Sequence, residues 1–262
     1  NGLVYLTADG FEAAGGVAHG FSTRLGGVSE GIYATLNLGM NRGDAPDRVR
    51  ENYRRFCAAI GADMGNIVCA SQVHGDTVRT VTAADLGIGL DEPEPWQADG
   101  LVTDIPGVTL AVYSADCLPI LLYDPVRRVV GAVHAGWRGT ALDLPAKAVK
   151  EMGRLFGARP ENIRAAVGAG IGPCCFETHD DVPDAMAASF GSGATSFIAP
   201  RGEKWTVDLK GLNAWRLREI GIPAAQIDVC PLCTACHTDL YWSHRKMGDR
   251  RGVQGALITL KP

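Results

Sequence analysis

Two apolar runs joined by a turn sequence place the strongest constraint on the fold of this 262-residue chain. Leu118 to Tyr123 and Val129 to Val133 flank Asp124-Pro125-Val126-Arg127, which has Asp at the first and Pro at the second position of a type I turn. The pattern predicts a β-hairpin. If the first and last turn residues lie opposite each other, the register places Cys117 directly opposite His134, with Cβ atoms roughly 5 Å apart. A bulged turn would shift the register by one residue and could turn these side chains away from each other.

The rest of the chain mixes further strands with helices. Apolar runs rich in β-branched residues predict strands at Asn66 to Val73, Val78 to Thr82, Gly107 to Ala115, Ile163 to Gly168, Gln226 to Cys230 and Gln254 to Leu260. Helical spacing of apolar residues predicts helices at Pro46 to Ile60, Asp143 to Phe156 and Asp208 to Ile220. Leu86 to Gln97, rich in Gly, Pro and acids, is interpreted as a surface loop. We expect an α+β fold, a mixed β-sheet flanked by helices, in a single domain over residues 1–262.

Composition excludes several classes of protein. With 46% hydrophobic residues, a formal charge of −4 and Lys and Arg scattered among acids, the chain does not resemble a nucleic-acid-binding protein. No apolar run reaches the roughly 18 residues of a membrane span, and no basic segment precedes an apolar signal core, so a cytoplasmic location is expected. Eight cysteines in a chain of this size are expected to be thiols or metal ligands rather than disulfides.

Three predicted strands lead into potential metal ligands, which are His74, Cys117 and His134. One thiolate and two imidazoles form a set that zinc uses, and three protein ligands leave a fourth position open for water or substrate. The residues alone also allow a plainer reading. Cys117 would then be a small buried apolar residue, and the histidines ordinary polar residues at the starts of loops.

Two arginines near glycine-rich segments are weaker candidates for binding an anion. Arg138 lies in Ala135-Gly136-Trp137-Arg138-Gly139-Thr140, whose glycines allow close backbone approach, although the same segment could be a plain glycine turn. Arg24 lies in the flexible segment Ser22 to Ser29, a weak signal for a phosphate or carboxylate. Asp116 stands beside Cys117.

A second cysteine motif is another candidate for a cofactor or metal site. Cys230-Pro231-Leu232-Cys233-Thr234-Ala235-Cys236-His237 contains C-x-x-C twice and includes the C-x-x-C-H signature of covalent haem. Haem attachment would need an axial partner and an oxidising compartment, and neither is indicated. A structural zinc knuckle would need a second pair of ligands at a distance, which is not obvious. Reduced cysteines are the favoured interpretation. Cys174-Cys175 are adjacent and not expected to bridge each other, so a simple turn is predicted there.

An ordered series of motifs runs along nearly the whole chain. It comprises Phe21-Ser22-Thr23-Arg24, Gly26-Gly27-Val28-Ser29, Leu36-Asn37-Leu38-Gly39, Gly43-Asp44, Gln72-Val73-His74-Gly75, Ala98-Asp99-Gly100, Ala115-Asp116-Cys117 with Pro119, His134-Ala135-Gly136-Trp137-Arg138-Gly139, Gly170-Ile171-Gly172-Pro173-Cys174-Cys175, Cys233-Thr234 and Ser243-His244-Arg245. With these motifs the chain resembles the YfiH or laccase-domain family, also labelled polyphenol oxidases and purine nucleoside phosphorylases.

The resemblance implies a fold similar to that of bacterial toxin cysteine hydrolases, in a monomer or weak homo-oligomer. It implies zinc held by His74, Cys117 and His134, with Arg24 and Asn37 as substrate or phosphate contacts. The implied chemistry is phosphorolysis of adenosine, inosine, guanosine or methylthioadenosine, with some deamination of adenosine. The catalytic set would then be Cys117, His134, His74 and Arg24, and Arg138 could also hold phosphate.

Three alternatives differ in chemistry. The six histidines are too few for the copper centres of an ordinary laccase, but copper could occupy the His-Cys-His ligands and oxidise phenols. A metal-free hydrolase for cell-wall peptidoglycan would use Cys117 as nucleophile and His134 as base, which leaves His74 without a task. A non-catalytic partner-binding protein would turn over no nucleoside.

Overall fold

The computed structural model describes residues 2–40, 42–90, 92–93 and 95–262. The strands within these residues are β1 (Tyr5–Leu6), β2 (Val17–Ser22), β3 (Ile67–Val68), β4 (Val78–Thr80), β5 (Gly100–Thr103), β6 (Thr109–Ser114), β7 (Leu118–Asp124), β8 (Val129–Ala135), β9 (Arg164–Val167), β10 (Glu177–Thr178), β11 (Ile198–Arg201), β12 (Lys204–Val207), β13 (Ile227–Val229) and β14 (Gln254–Leu260).

The α-helices in the same residues are α1 (Asp9–Ala14), α2 (Pro46–Ile60), α3 (Trp137–Ala141), α4 (Leu144–Phe156), α5 (Asp181–Phe190), α6 (Leu209–Glu219) and α7 (His244–Met247). Short 3₁₀ helices occur at Gly31–Tyr33, Met64–Asn66, Ala83–Asp85, Pro160–Asn162, Gly191–Phe197 and Ala224–Gln226. None of the helices in the described residues is long and apolar enough to cross a membrane.

Two large mixed sheets form the centre of the fold. The first has the strand order β1-β2-β14-β6-β3, and its one parallel pair among the described strands is β3 with β6. The second has the order β13-β9-β7-β8-β5-β4, with parallel pairs at both edges. A small antiparallel sheet, β10-β12-β11, lies apart from them in the strand order. The predicted α+β class with a mixed sheet is confirmed, although the strands divide among three sheets.

Alternate residues of β7 and β8 pack in opposite directions. Leu121 and Val130 belong to a core between the two large sheets, whereas Ile120 and Val133 pack in a second core with helices α4, α5 and α6. Helix α2 covers the outer face of the first sheet, where Phe56 is fully buried. The result is four layers, helix, sheet, sheet and helices. Strands buried on both faces read as continuous apolar runs, which is why these segments were recognisable.

The predicted hairpin is present, but its register was wrong by two residues. In β7 and β8, Asp124 lies opposite Val129 and Pro119 lies opposite His134, so Cys117 is not the direct partner of His134. Side chains alternate between faces with a period of two, so a shift of two residues leaves each side chain on its predicted face. Cys117 and His134 are therefore diagonal neighbours, a relation that long side chains can still bridge.

The turn itself explains the shift. The Asp124 carboxylate is buried and accepts hydrogen bonds from the backbone N–H groups of Val126 at 2.8 Å, Arg127 at 3.0 Å and Arg159 at 3.2 Å. Arg128 then takes a left-handed conformation with φ of 52° before β8 begins. The loop therefore contains the four residues from 125 to 128, where two were predicted.

Other predicted boundaries differ in informative ways. Helix α2 has its predicted bounds, α4 begins one residue later than predicted, and α6 is one residue shorter at each end. The predicted strand Asn66 to Val73 shrinks to β3, because the chain leaves the sheet before His74. Strands β1, β2, β5 and β10 to β12 were not predicted, since they are short or interrupted by Gly and polar residues. The predicted loop Leu86 to Gln97 lacks named strands where it is described, and its residues 91 and 94 lie outside the described residues.

Candidate metal centre

The chain crosses from the first large sheet to the second at two neighbouring places. His74 lies in the crossover between β3 and β4, and Cys117 lies in the short connection between β6 and β7. His134 is on β8, where it shares a face with Val130 and thus points toward the space between the sheets. The end of the sheet sandwich therefore gathers three residues that are far apart in sequence.

The three predicted ligands lie close enough to share one ion. One ligand atom from each of His74, Cys117 and His134 lies within 4.8 Å of the other two. Cys117 Sγ is 3.8 Å from His74 Nε2, and the two imidazole centroids are 4.9 Å apart. His134 is buried, Cys117 is half-buried and His74 is exposed, so the cluster opens to solvent on one side. The donor set and this open side fit a metal ion with a free coordination position.

Asp99 holds two of the three ligands in place, and the sequence did not single it out for this role. Its carboxylate accepts the His134 Nδ1–H at 2.8 Å, which leaves His134 Nε2 as the ligand atom. It also accepts the backbone N–H groups of Val73, His74 and Gly75 at 3.0, 3.0 and 2.8 Å. Burial would raise the pKa of Asp99, but these hydrogen bonds outweigh burial and lower it. Asp99 therefore stays ionised and fixes the loop that carries His74.

Replacing Asp99 with asparagine is expected to weaken metal binding about 10- to 100-fold, the usual cost of losing the hydrogen-bond partner of a ligand. The amide keeps the shape but loses the charge that orients His134 and holds the His74 loop. Competition with a chromogenic chelator measures the dissociation constant. Asp104→Asn, an exposed acid after the same strand β5, is the matched control and should bind metal as the wild type does. Equal affinity in both variants would contradict the role of Asp99.

Close packing around the cluster depends on Gly136. A Cβ atom at this position would lie 2.8 Å from Cys117 Sγ and 3.3 Å from His74 Cδ2. Gly136 directly precedes helix α3, which forms where the sequence also allowed a plain glycine turn. The close approach of the Gly136 backbone thus brings the start of α3 against two of the ligands.

Gly136→Ala is therefore expected to displace Cys117 or His74 and to reduce metal affinity at least about tenfold, because a shift of one ligand weakens a three-ligand site. The matched control is Gly139→Ala in the same short helix, where the nearest atom to a new Cβ is 3.4 Å away. The same chelator competition serves as the measurement. If the Gly136 variant bound metal normally while remaining folded, the packing argument would be wrong.

The electrostatics of the cluster favour a thiolate at Cys117. Burial alone would raise the pKa of Cys117, but hydrogen bonds with His134 and His74 outweigh it and lower the pKa to about 6. Burial would likewise lower the pKa of His134, but its bonds with Asp99 and Cys117 raise it to about 9. Cys117 is therefore ionised at neutral pH, which is the form that binds metals and acts as a nucleophile.

Two cavities meet at the cluster and share His74, Cys117, Arg42 and Arg251 in their walls. The first has a volume of about 280 Å³ and is also lined by Gln72, Tyr53 and Tyr113. The second, of about 360 Å³, has a more apolar wall that includes Trp137, Ile171, Phe176 and Leu209, together with His244 and Arg245. A bound ion at the cluster would therefore be reached from both cavities.

Arg251 supplies a buried positive charge to both cavities. It is 7% exposed, and Nη1 donates to the Gly252 carbonyl at 3.1 Å, but its buried Nε has no hydrogen-bond partner among the described residues. Burial lowers the pKa of Arg251, and repulsion by Arg42 adds to the effect, while Asp116 opposes it. Two like charges that face a cavity, one with an unused donor, form a site that an anion would stabilise.

Arg24 does not lie at the cluster. Its Nε and Nη2 donate to the Ala34 carbonyl at 3.2 and 2.8 Å, its Nη1 donates to the Thr238 carbonyl at 2.7 Å, and its guanidinium stacks on Trp242 at 4.0 Å. These contacts join the N-terminal segment to the segment before α7. A role for Arg24 as a phosphate ligand stays a prediction, and the guanidinium groups that do line the cavities belong to other residues.

Asn37 and Arg138 are also outside the described cavity walls. Asn37 is fully buried, and its Oδ1 accepts the backbone N–H groups of Gly39 and Val253 at 2.9 and 3.0 Å. Asn37 thus positions the loop that leads into the first cavity. Arg138 is exposed and lies 4.3 Å from the ring of Trp137. Their assigned contacts with substrate remain predictions.

Sequence reasoning missed Asp99, Arg42 and Arg251 as site residues. Asp99 carried a usable signal, because an acid between Ala98 and Gly100 at the start of a buried strand needs a strong partner. Arg42 and Arg251 lie in irregular segments far apart in sequence, and only the fold brings them to one cavity. No local pattern could have identified them.

With the fold and cluster established, comparison with known proteins assigns the chain to a class. A family model described as multi-copper polyphenol oxidoreductase laccase matches residues 18–261, and the chain belongs to this family. The crystal structure of Bacillus licheniformis hypothetical protein YfiH matches with a TM-score of 0.90 and 37% identity, covering 94% of this chain and 93% of that one. Membership of the YfiH or laccase-domain family, predicted from the motifs, is confirmed.

Particular relatives carry a different name. A protein of Deinococcus radiodurans named purine nucleoside phosphorylase is 39% identical over 245 residues, which are 93% of this chain and 89% of the relative. Purine nucleoside phosphorylase YlmD of Geobacillus stearothermophilus is 36% identical over 249 residues, which are 94% of this chain and 89% of the relative. The family description and the names of these relatives thus point to two different reactions.

The side chains that could bind a metal ion help to choose between these two reactions. Among the described residues, two groups of three or more side chains could hold a metal ion, and His74 and His134 are the histidines in them. His19, for example, is buried elsewhere and accepts the backbone N–H of Ala8 at 2.8 Å. A trinuclear copper centre needs many converging histidines, so the described part of the chain does not fit one.

Proposed function

We propose that this chain is a zinc-dependent purine nucleoside phosphorylase that cleaves adenosine and related nucleosides, among them inosine, guanosine and methylthioadenosine. The observation that carries the proposal is the buried, incompletely bonded Arg251 beside an open His-Cys-His cluster. The names of the relatives from Deinococcus and Geobacillus support the substrate class. The eight cysteines, free in the structure, suit a reducing cytoplasm, where we propose that the protein acts as a single domain in a monomer or weak homo-oligomer.

His74, Cys117 and His134 would hold the zinc ion. A zinc ion with a free position acts as a Lewis acid and lowers the pKa of a bound water toward about 7. The chain itself orients His134 through the Asp99 carboxylate. Gly136, which has no side chain, leaves room for the ligands beside it. His134 is held in one tautomer by the Asp99 hydrogen bond, so its Nε2 faces the cluster.

Phosphate would bind between Arg42 and Arg251. In phosphorolysis a phosphate oxygen forms a bond to the ribose anomeric carbon, while the bond from that carbon to the purine nitrogen breaks and its electron pair leaves with the base. The two guanidinium groups that line the cavity would hold the phosphate dianion next to the reacting carbon. Catalysis would then come mainly from positioning and charge stabilisation.

The purine would lie in the second cavity. Its wall contains Trp137 and Phe176, whose rings offer faces or edges for an aromatic base. Because this cavity shares His74, Cys117 and Arg251 with the first, the base and the phosphate would both reach the cluster. The ribose would then occupy the boundary between the cavities.

One assay tests the proposal directly. Zinc-loaded protein is incubated with adenosine with and without phosphate, and the products are separated by liquid chromatography. Phosphate-dependent release of adenine, with ribose 1-phosphate in equal amount, is the expected result. Phosphate-independent inosine would indicate a deaminase instead, and no product from any nucleoside of a panel would indicate a non-catalytic protein.

Copper oxidation of phenols is a second candidate, because the same soft donor set also binds copper, which outcompetes zinc at such sites. Copper-loaded and zinc-loaded samples should be compared with a phenolic substrate. A metal-free thiol hydrolase is distinguished by alkylation. Zinc-free protein as purified, with rapid modification of Cys117 and no nucleoside turnover, would favour it over the phosphorylase.

A further inference from the structure

Four cysteine sulfurs converge at the surface, away from the His-Cys-His cluster. Cys174, Cys175, Cys233 and Cys236 place their sulfur atoms within 4.8 Å of one another. Cys236 Sγ lies 3.5 Å from Cys174 Sγ and 3.4 Å from Cys175 Sγ. Cys233 is buried, Cys175 is half-buried, and the other two are exposed.

These separations suit one ion better than disulfides. A disulfide has an S–S distance of about 2.05 Å, far shorter than those seen here. A tetrahedral zinc site with Zn–S bonds of about 2.3 Å separates its sulfurs by about 3.8 Å. The two separations from Cys236, and the 4.8 Å that bounds the other sulfur pairs, are thus compatible with four sulfurs around one zinc ion.

The fold identifies the second ligand pair, which was not obvious from the sequence. Cys233 and Cys236 form a C-x-x-C pair, and an isolated β-bridge between Gly170 and Cys233 brings the segment with Cys174 and Cys175 beside it. Cys174 and Cys175 lie in a tight turn, in which the Cys175 N–H donates to the Gly172 carbonyl at 3.0 Å. Two local pairs, nearly 60 residues apart in the chain, thus form one group of four.

Three cationic side chains lie beside the two cysteine segments. Lys210 is only 5% exposed, and its Nζ donates to the Cys230 and Leu232 carbonyls. In the other cysteine segment, Arg201 donates to the Cys174 carbonyl and Arg245 donates to the Cys175 carbonyl, each at 3.0 Å. A zinc ion with four thiolates carries a net charge of −2, which these three side chains would favour, although Arg201 also pairs with Glu177 at 3.7 Å.

A backbone N–H group also donates a hydrogen bond to one of the four cysteine sulfurs. The Gly172 N–H donates to Cys233 Sγ at 3.2 Å, and a Cβ at Gly172 would lie 3.3 Å from the Cys233 Cβ. N–H groups aimed at sulfur stabilise thiolates in metal sites. The glycine therefore allows the backbone to approach a sulfur that needs a partner.

We propose that Cys174, Cys175, Cys233 and Cys236 bind one zinc ion in a closed tetrathiolate site, distinct from the His-Cys-His cluster. Binding forms four Zn–S bonds and releases to solvent the protons of those thiols that are not yet ionised. With four protein ligands the ion has no position left for a substrate, so this site is structural.

The site would act on its neighbour through Asp116. Ile171, in the first cysteine segment, donates its N–H to the Asp116 carbonyl at 2.8 Å. Thr234, in the second, donates its hydroxyl to Asp116 Oδ1 at 2.6 Å. Asp116 directly precedes Cys117 and has a left-handed φ of 90°. Joining the two segments with zinc would therefore fix the backbone that presents Cys117.

Metal analysis separates the two sites. Wild-type protein purified in zinc-containing medium should carry about two zinc ions per chain, one for each ligand group. The double variant Cys174→Ser with Cys236→Ser should retain about one, and so should Cys117→Ala, because each removes a single group. Cys230→Ser, a half-buried cysteine of the same motif outside the group, is the matched control and should keep both ions.

A second measurement needs no variant at the site. In native wild-type protein, Cys174 and Cys236 should resist iodoacetamide despite their exposure, and a strong chelator should make them reactive, as mapped by peptide mass spectrometry. The proposal is wrong if the double variant keeps the full zinc content of the wild type. It is also wrong if the wild-type mass shows a disulfide among these cysteines, or if they react equally fast without chelator. Iron with a visible iron–sulfur spectrum would overturn it as well.

Discussion

Cys117→Ala is expected to lower kcat/KM for adenosine phosphorolysis about 100- to 10,000-fold. The substitution removes one of three ligands from the cluster at the end of the sheet sandwich. A metal Lewis acid contributes several kcal/mol to transition-state stabilisation, and each 1.36 kcal/mol corresponds to a factor of ten. Loss of the ion would therefore remove most of the rate without unfolding the protein.

The measurement pairs steady-state kinetics with metal analysis of the same sample. Cys230→Ala is the matched control, because Cys230 is a half-buried cysteine outside both ligand groups. It should keep wild-type kinetics. Wild-type kcat/KM in a Cys117→Ala sample that has lost its metal would rule out catalysis at this cluster.

Arg251→Met is expected to raise the KM for phosphate about 10- to 100-fold, because a hydrogen bond to a charged group is worth about 1.5–3 kcal/mol. Methionine keeps the apolar stem of the buried side chain but removes the guanidinium and its unpaired Nε. The KM for adenosine should change much less, since Trp137 and Phe176 remain in the purine cavity even though Arg251 also lines it. Kinetics at varied phosphate with saturating adenosine provide the measurement.

Two comparison variants sharpen this test. Arg250→Met alters the exposed neighbour of Arg251 and should leave the KM for phosphate unchanged. Arg24→Met removes the arginine that the family resemblance suggested, and its carbonyl bonds indicate loss of thermal stability rather than of phosphate affinity. A large phosphate effect in the Arg24 variant, with none in the Arg251 variant, would reverse the assignment.

The hairpin shows how far sequence reasoning reaches. The runs of β7 and β8 were recognisable because both faces of each strand are buried, and the turn was recognisable from Asp124 and Pro125. The turn length was not, since it depends on the buried Asp124 carboxylate and the left-handed Arg128. Cys117 and His134 nevertheless came together, because an error of two residues preserves the face of each side chain.

The arginines and the surface cysteines show what could not be predicted from the sequence. A motif can nominate Arg24, but only packing reveals that its donors are occupied by backbone carbonyls, while Arg251 keeps one unused. The pair Cys174-Cys175 suggested a simple turn, because the partner pair arrives from a distant segment through a single β-bridge. Long-range contacts of this kind leave no local pattern in the sequence.

Strand β14 gives the assembly of the metal centre an order in time. It is the last of the described strands in sequence, yet it lies in the middle of the first large sheet, paired with β2 on one side and β6 on the other. Pairing across more than 200 residues is slow, because the chain loses entropy before the contact stabilises it. β6 leads directly to Cys117. We therefore expect metal loading to follow synthesis and docking of β14, so a partly synthesised chain would hold His74 and His134 without the geometry to use them.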